Sequence, residues 1–95
     1  KVAGTGVNGV EVVNNLALYP NPNNGQFVLQ GYNVSKDKVQ ISIINAIGQM
    51  VYAEDKIFEM GEIRHKINAG NMAKGVYMLR INAAHGHNSL RFVVE

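Results

Sequence analysis

The chain has 95 residues, 46% hydrophobic and 17% charged, with a formal net charge of +2. At this length it makes one domain with a thin core, burying about 60 to 65% of its unfolded surface, and its ordinary apolar content separates it from disordered chains and membrane proteins. The absence of cysteine excludes disulfides, thiol catalysis and thiolate metal sites, and so small a net charge on scattered Lys and Arg leaves no footprint for nucleic acid.

Residues 1–15 are rich in Gly, Val and Asn. Gly4-Thr5-Gly6 and Asn8-Gly9 are turn or linker signals, and Val10-Glu11-Val12-Val13 reads either as a short edge strand or as the tail of a linker to a larger partner. The start Lys1-Val2-Ala3-Gly4 is not a signal peptide, and no apolar run approaches the roughly 20 residues of a spanning helix. If the protein is exported, the expectation is a fragment whose signal lies upstream. The assigned organisation is a linker or junction over residues 1–15 and a folded domain over residues 16–95.

The folded part is organised by Tyr19-Pro20-Asn21-Pro22, which holds both prolines. Each proline lacks an N–H and biases the preceding residue toward extended geometry, so neither a helix nor a central strand fits. Asn23-Asn24-Gly25 tolerates positive φ, and a strand starts at Gln26, making strand, proline-fixed corner, strand. Residues 26–32 alternate with Phe27 and Leu29 inward. After a loop over residues 33–37, Val39, Ile41 and Ile43 alternate with Lys38, Gln40 and Ser42, the clearest strand pattern and the expected central strand. Asn45-Ala46-Ile47-Gly48 is then a turn leading to a returning strand over residues 49–53.

Residues 54–62 hold five charges around Ile57, Phe58 and Met60, with a short strand expected about Ile57. Ile63, His65 and Ile67 alternate with Arg64 and Lys66, giving a strand with a basic outer face. Residues 68–75 read as a loop, with one helical turn an option and Met72 dipping into the core. Tyr77, Leu79 and Ile81 then face inward, a His85-Gly86-His87-Asn88 turn follows, and Leu90, Phe92 and Val94 form the final strand. About seven short strands at intervals of about ten residues indicate an all-β antiparallel sandwich, immunoglobulin-like in outline.

Leu18-Tyr19-Pro20-Asn21-Pro22, Gly25 and Phe27, then Ile41-Ser42-Ile43 to Gly48, Gly75-Val76-Tyr77 and the closing Arg91-Phe92-Val93-Val94 together resemble a type A C-terminal sorting domain of the Bacteroidota type IX secretion system. The resemblance spans about residues 16–95. It implies a signal that directs an attached N-terminal cargo across the outer membrane and is then removed by a sortase-like transpeptidase. The implied partners are the translocon, the transpeptidase and the cargo, and the implied location is the periplasm in transit to the outer membrane, cell surface or medium. Pro20, Asn21, Pro22, Gly25, Gly48, Gly75, Tyr77, Arg91, Phe92, Val93, Val94 and Glu95 form the candidate signal. In this family the last residues follow a Lys-Leu-Val-Val-Lys-like pattern; Arg91 takes the first basic position, Phe92 the leucine, and Glu95 reverses the charge where a basic residue is common.

The residues themselves give Gly75 and Tyr77 a structural role, the glycine supplying a conformation closed to larger residues and the tyrosine packing its ring inside with a partner for its hydroxyl. The final strand leaves a carboxylate and an edge to which a receptor, or a second copy in a crystal, would add a strand. His85 and His87 share a strand face, but zinc needs three or four placed ligands, and Asp37 and Asp55 lack the clustered oxygens of a calcium site. Neither a metal nor another cofactor is expected. No nucleophile elbow, Walker loop or His-Glu-x-x-His is present, so no enzyme activity is expected. The competing reading is a carbohydrate-binding or adhesive immunoglobulin-like module, for which Tyr19, Tyr32, Tyr52 and Tyr77 form no evident platform.

Overall fold

The structure is a computed structural model that describes residues 12–34 and 36–95. Of the expected junction, Gly4-Thr5-Gly6, Asn8-Gly9 and Val10-Glu11 lie outside the described residues. Seven strands follow: β1 (Val13–Tyr19), β2 (Gln26–Asn33), β3 (Lys38–Ile44), β4 (Met50–Ile57), β5 (Gly61–Asn68), β6 (Gly75–Ala83) and β7 (Gly86–Val94). No helix occurs among the described residues, in keeping with the period-two patterning and the many β-branched residues.

The strands form two antiparallel sheets, one ordered β1-β2-β5 and the other β4-β3-β6-β7. This differs from the constant-type immunoglobulin sandwich in the sheet joined by the fourth strand. The alternation read from the sequence places the core as expected. Phe27 and Leu29 of β2, Ile63 and Ile67 of β5, Val39, Ile41 and Ile43 of β3, Tyr77, Leu79 and Ile81 of β6, and Phe92 and Val94 of β7 are all buried between the sheets. The strand expected to be central, β3, has β4 on one side and β6 on the other.

Three local expectations are corrected. β4 runs through the charged stretch to Ile57, and β5 begins at Gly61; β4 is an edge strand whose residues are all half-buried or exposed, so neither face carries a clean apolar signal. No helical turn occurs over residues 68–75, although Met72 packs against the core. The turn expected at His85-Gly86-His87-Asn88 falls at Ala84 and His85, and β7 has already begun at Gly86. Asn88 is needed in the sheet: its Oδ1 accepts from the N–H groups of Val12 and Val13 at 2.8 and 2.9 Å, and its Nδ2 donates to the Val13 carbonyl at 2.9 Å. One side chain thereby satisfies the entry of β1 as a neighbouring strand would.

Asn88 closes one flank of the sandwich, between β1 and β7. Side chains also join the opposite flank, between β4 and β5. Glu54 Oε2 accepts from the Tyr52 hydroxyl at 2.8 Å and lies 2.9 Å from Nε2 of His65. The His65 ring stands edge-on to Phe58, with centroids 5.6 Å apart.

Candidate recognition site

The corner between β1 and β2 is built around Asn23. Its Nδ2 donates to the Pro20 carbonyl at 3.0 Å, while its Oδ1 accepts from the Gly25 N–H at 2.9 Å. The prolines leave no backbone donors of their own at these positions, so a buried asparagine side chain supplies the internal bonds that a turn requires. Both X–Pro bonds of the corner are cis.

The corner is also fastened to β7. The Asn23 N–H donates to the Val93 carbonyl at 3.1 Å, and the Glu95 N–H donates to the Asn23 carbonyl at 2.9 Å. The Val93 N–H in turn donates to Asn21 Oδ1 at 2.9 Å. Asn23 and Val94 thus form a parallel bridge outside the named strands. The edge of the final strand that the sequence reading left open for a receptor is occupied along Val93, Val94 and Glu95 by the protein's own corner. The physical reason is the edge itself, whose unpaired N–H and C=O groups take the nearest complementary backbone.

Gly25 ties the corner to the loop after β5. Its carbonyl accepts from the Ala69 N–H at 2.8 Å. Its φ is +103°, and a Cβ there would run into the Gly70 carbonyl oxygen, so Gly25 combines positive φ with close backbone approach. Beneath the corner the Phe27 and Phe92 rings pack at 5.0 Å between centroids, and Phe92 stacks on Tyr77 at 5.8 Å. The Tyr77 hydroxyl donates to the Ala73 carbonyl at 2.6 Å, so the buried ring and partnered hydroxyl are both as expected. Gly75 pairs with Val94 across β6 and β7; its φ is +154°, and a Cβ there would meet open space, so its constraint is conformational rather than steric.

Gly48 ends the β3–β4 turn, with its N–H donating to the Asn45 carbonyl at 3.0 Å. Asn45 Oδ1 accepts from the N–H groups of Ile47 and Gln49. A cavity of about 210 Å³ joins this turn to Gly75, lined by Asn45, Ala46, Ile47, Lys74, Val76 and Tyr77 as well. Pro20, Asn21, Pro22, Gly25, Gly48, Gly75, Tyr77 and Phe92 to Glu95 therefore gather at one end of the sandwich, from segments far apart in sequence. Arg91 lies one step along β7, paired with Met78 and exposed on the outer face.

The sequence profile of the secretion system C-terminal sorting domain family matches residues 17–95. The chain belongs to this family. No curated protein and no solved structure matches it. The family is one of type IX secretion sorting signals, not itself an enzyme family, and membership implies contact with the type IX machinery and export to the cell surface or extracellular space. No helix among the described residues is long and apolar enough to cross a membrane.

The titratable side chains of the sorting domain are used at seams. Burial alone would raise the Glu54 carboxyl, but the hydrogen bonds from His65 and Tyr52, with the charges of His65 and Lys56, hold it below its ordinary value. Burial, followed by the bond to Glu54 and its charge, pushes the Tyr52 hydroxyl up to about 12. His85 Nδ1 lies 3.1 Å from Asp37, and His87 pairs in register with Asn82 on β6. No three His, Cys, Asp or Glu side chains group as metal ligands would among the described residues. Of the tyrosines, Tyr77 is buried, Tyr52 is bound to Glu54, Tyr19 lies 5.9 Å below the Arg64 guanidinium and Tyr32 is exposed.

The residues missed by sequence reasoning are Asn23 and Asn88. Asparagine beside proline, or close after glycine and histidine, reads as turn chemistry, and nothing local reports a partner 70 or more positions away.

Proposed function

We propose that this sorting domain is carried through the periplasm as a folded sandwich behind an N-terminal cargo. The translocon reads the end formed by the corner, the loop before Gly75 and the close of β7, and a sortase-like transpeptidase then removes the domain. The observation that carries this reading is the convergence of the corner on β7 through Asn21 and Asn23. A signal split between residues 20–25 and residues 91–95 becomes one surface only in the folded chain, so recognition by shape follows. Pro20, Asn21 and Pro22 are exposed there, as are Arg91 and Glu95.

Removing residues 90–95 is a poor test, since it also withdraws Phe92 and Val94 from the core. Asn21→Ala is the better one, because it removes a single exposed hydrogen bond, costing about 0.5–1.5 kcal/mol. In a type IX-competent Bacteroidota host, a folded Asn21→Ala fusion is expected to remain in the periplasm in greater proportion than the parent. Export unchanged for Asn21→Ala, and likewise for Lys74→Ala at the neighbouring loop, contradicts recognition at this end.

A further inference from the structure

At the end near Gly75, the outer face of the β4-β3-β6-β7 sheet is apolar where a solvated face alternates to polar residues, while its other end carries Lys38, Gln40, Asp55, Asn82 and His87. Cross-strand register aligns Met50 of β4, Ile44 of β3 and Met78 of β6 in one row, and Val76 and Val93 in the next. Val51 and the tip residue Ile47 adjoin them; Met50 is 57% and Ile47 79% exposed. The opposite outer face, on the β1-β2-β5 sheet, is mixed: Gln26, Gln30, Arg64, Lys66, Glu62 and Asn68 alternate there with Val28 and the exposed Tyr32. A contiguous exposed apolar patch of this kind marks an interaction surface, and methionines suit one that adapts to its partner.

Three cations border the patch, with the exposed Glu95 carboxylate beyond Val93 as the acidic exception at this end. Arg91 pairs beside Met78, Arg80 lies two residues along β6, and Lys74 borders the cavity beneath Ile47 and Val76. None of these three is ion-paired among the described residues. The Asp55 carboxylate on the same sheet is already 3.6 Å from Lys38, farther down β4.

We propose that this face is the surface on which the export machinery docks, and that its partner is a protein surface with an apolar ridge flanked by carboxylates. The inference rests on the sorting reading and deepens it, since the patch is continuous with the Gly48 turn, Gly75 and Val93. The apolar rows supply contact area, and Arg80, Arg91 and Lys74 choose an acidic rim.

The experiment exports a fluorescent fusion of residues 1–95 from a type IX-competent host alongside three variants. Met50→Asp with Met78→Asp is expected to lower surface delivery about tenfold or more, as is Arg80→Glu with Arg91→Glu, because both act on exposed groups. Tyr32→Asp, on the opposite face, is expected to travel like the parent. Thermal melting of each purified variant confirms that it is folded; an unfolded double variant is replaced by the single Met78→Asp. A parent fusion that stays in the periplasm defeats the sorting reading itself. A delivered parent with an equally well delivered Met50→Asp/Met78→Asp variant overturns the docking face alone. Sedimentation of purified parent and variants, with and without phosphatidylglycerol vesicles, covers the other occupants. Dimerisation or vesicle binding abolished by the same substitutions overturns the acidic protein partner in favour of a second copy or a lipid surface.

Discussion

Tyr77 separates structural from signalling effects at the scale of one residue. Its ring stacks on Phe92 and its hydroxyl bonds the Ala73 carbonyl, so Tyr77→Ala would cost ~3–5 kcal/mol and abolish export through unfolding alone. Tyr77→Phe keeps the ring and loses only the hydrogen bond, a cost of about 0.5–1.5 kcal/mol. The expected outcome is a lower urea midpoint with export retained. Loss of export from a folded Tyr77→Phe domain would show instead that the hydroxyl, or the Ala73 loop it holds, is itself read. The inward placement of Tyr77, Phe92 and Val94 was legible because strands bury alternate side chains. The bonds of Asn21 and Asn23 to Val93 were not, because hydrogen-bonding partners leave no periodicity.

The element most exposed to solution conditions is the β4–β5 flank. There Glu54, with Tyr52 and Lys56 on its own strand, meets His65, whose ring stands edge-on to Phe58. A carboxyl held below its ordinary value of 4.5 adds stability that is present above that pH and is lost as pH falls through the folded-state value. The Tyr52 hydroxyl has the opposite sense, since its raised value favours the protonated folded state up to pH 10.0 and loses that contribution as pH climbs toward about 12. The urea midpoint is therefore expected to decline below pH 4.5, and Glu54→Gln is expected to flatten that acid limb. An acid limb unchanged in Glu54→Gln would remove Glu54 as its source. This flank was the least legible part of the chain: β4 carries Glu54, Asp55 and Lys56 because an edge strand tolerates charge, and the charge masks its length. β7 lost its first residues to the same kind of ambiguity, with Gly86 and Asn88 resembling a turn where Asn88 acts in the sheet.

At the scale of the whole molecule, the two sheets enclose a core that alternation placed in β2, β3, β5, β6 and β7, while buried Val12 and Val13 fell in the stretch assigned to the junction; the proline corner was recognised as the pivot. What the sequence does not reveal is that the corner folds onto β7, turning two ends of a motif into one surface and filling an edge expected to stay open. The apolar outer face was hidden for a related reason. Met78, Val76 and Val93 read as ordinary strand residues until register sets them beside Met50 and Ile44.

The central claim is tested most directly by fusing residues 1–95 behind a monomeric fluorescent protein bearing a signal peptide, and expressing it in a type IX-competent Bacteroidota host and in the same host lacking a working translocon. The account predicts fluorescence at the surface or in the medium of the competent host, and retention in the periplasm of the other. A folded module retained in the periplasm of both hosts would contradict it.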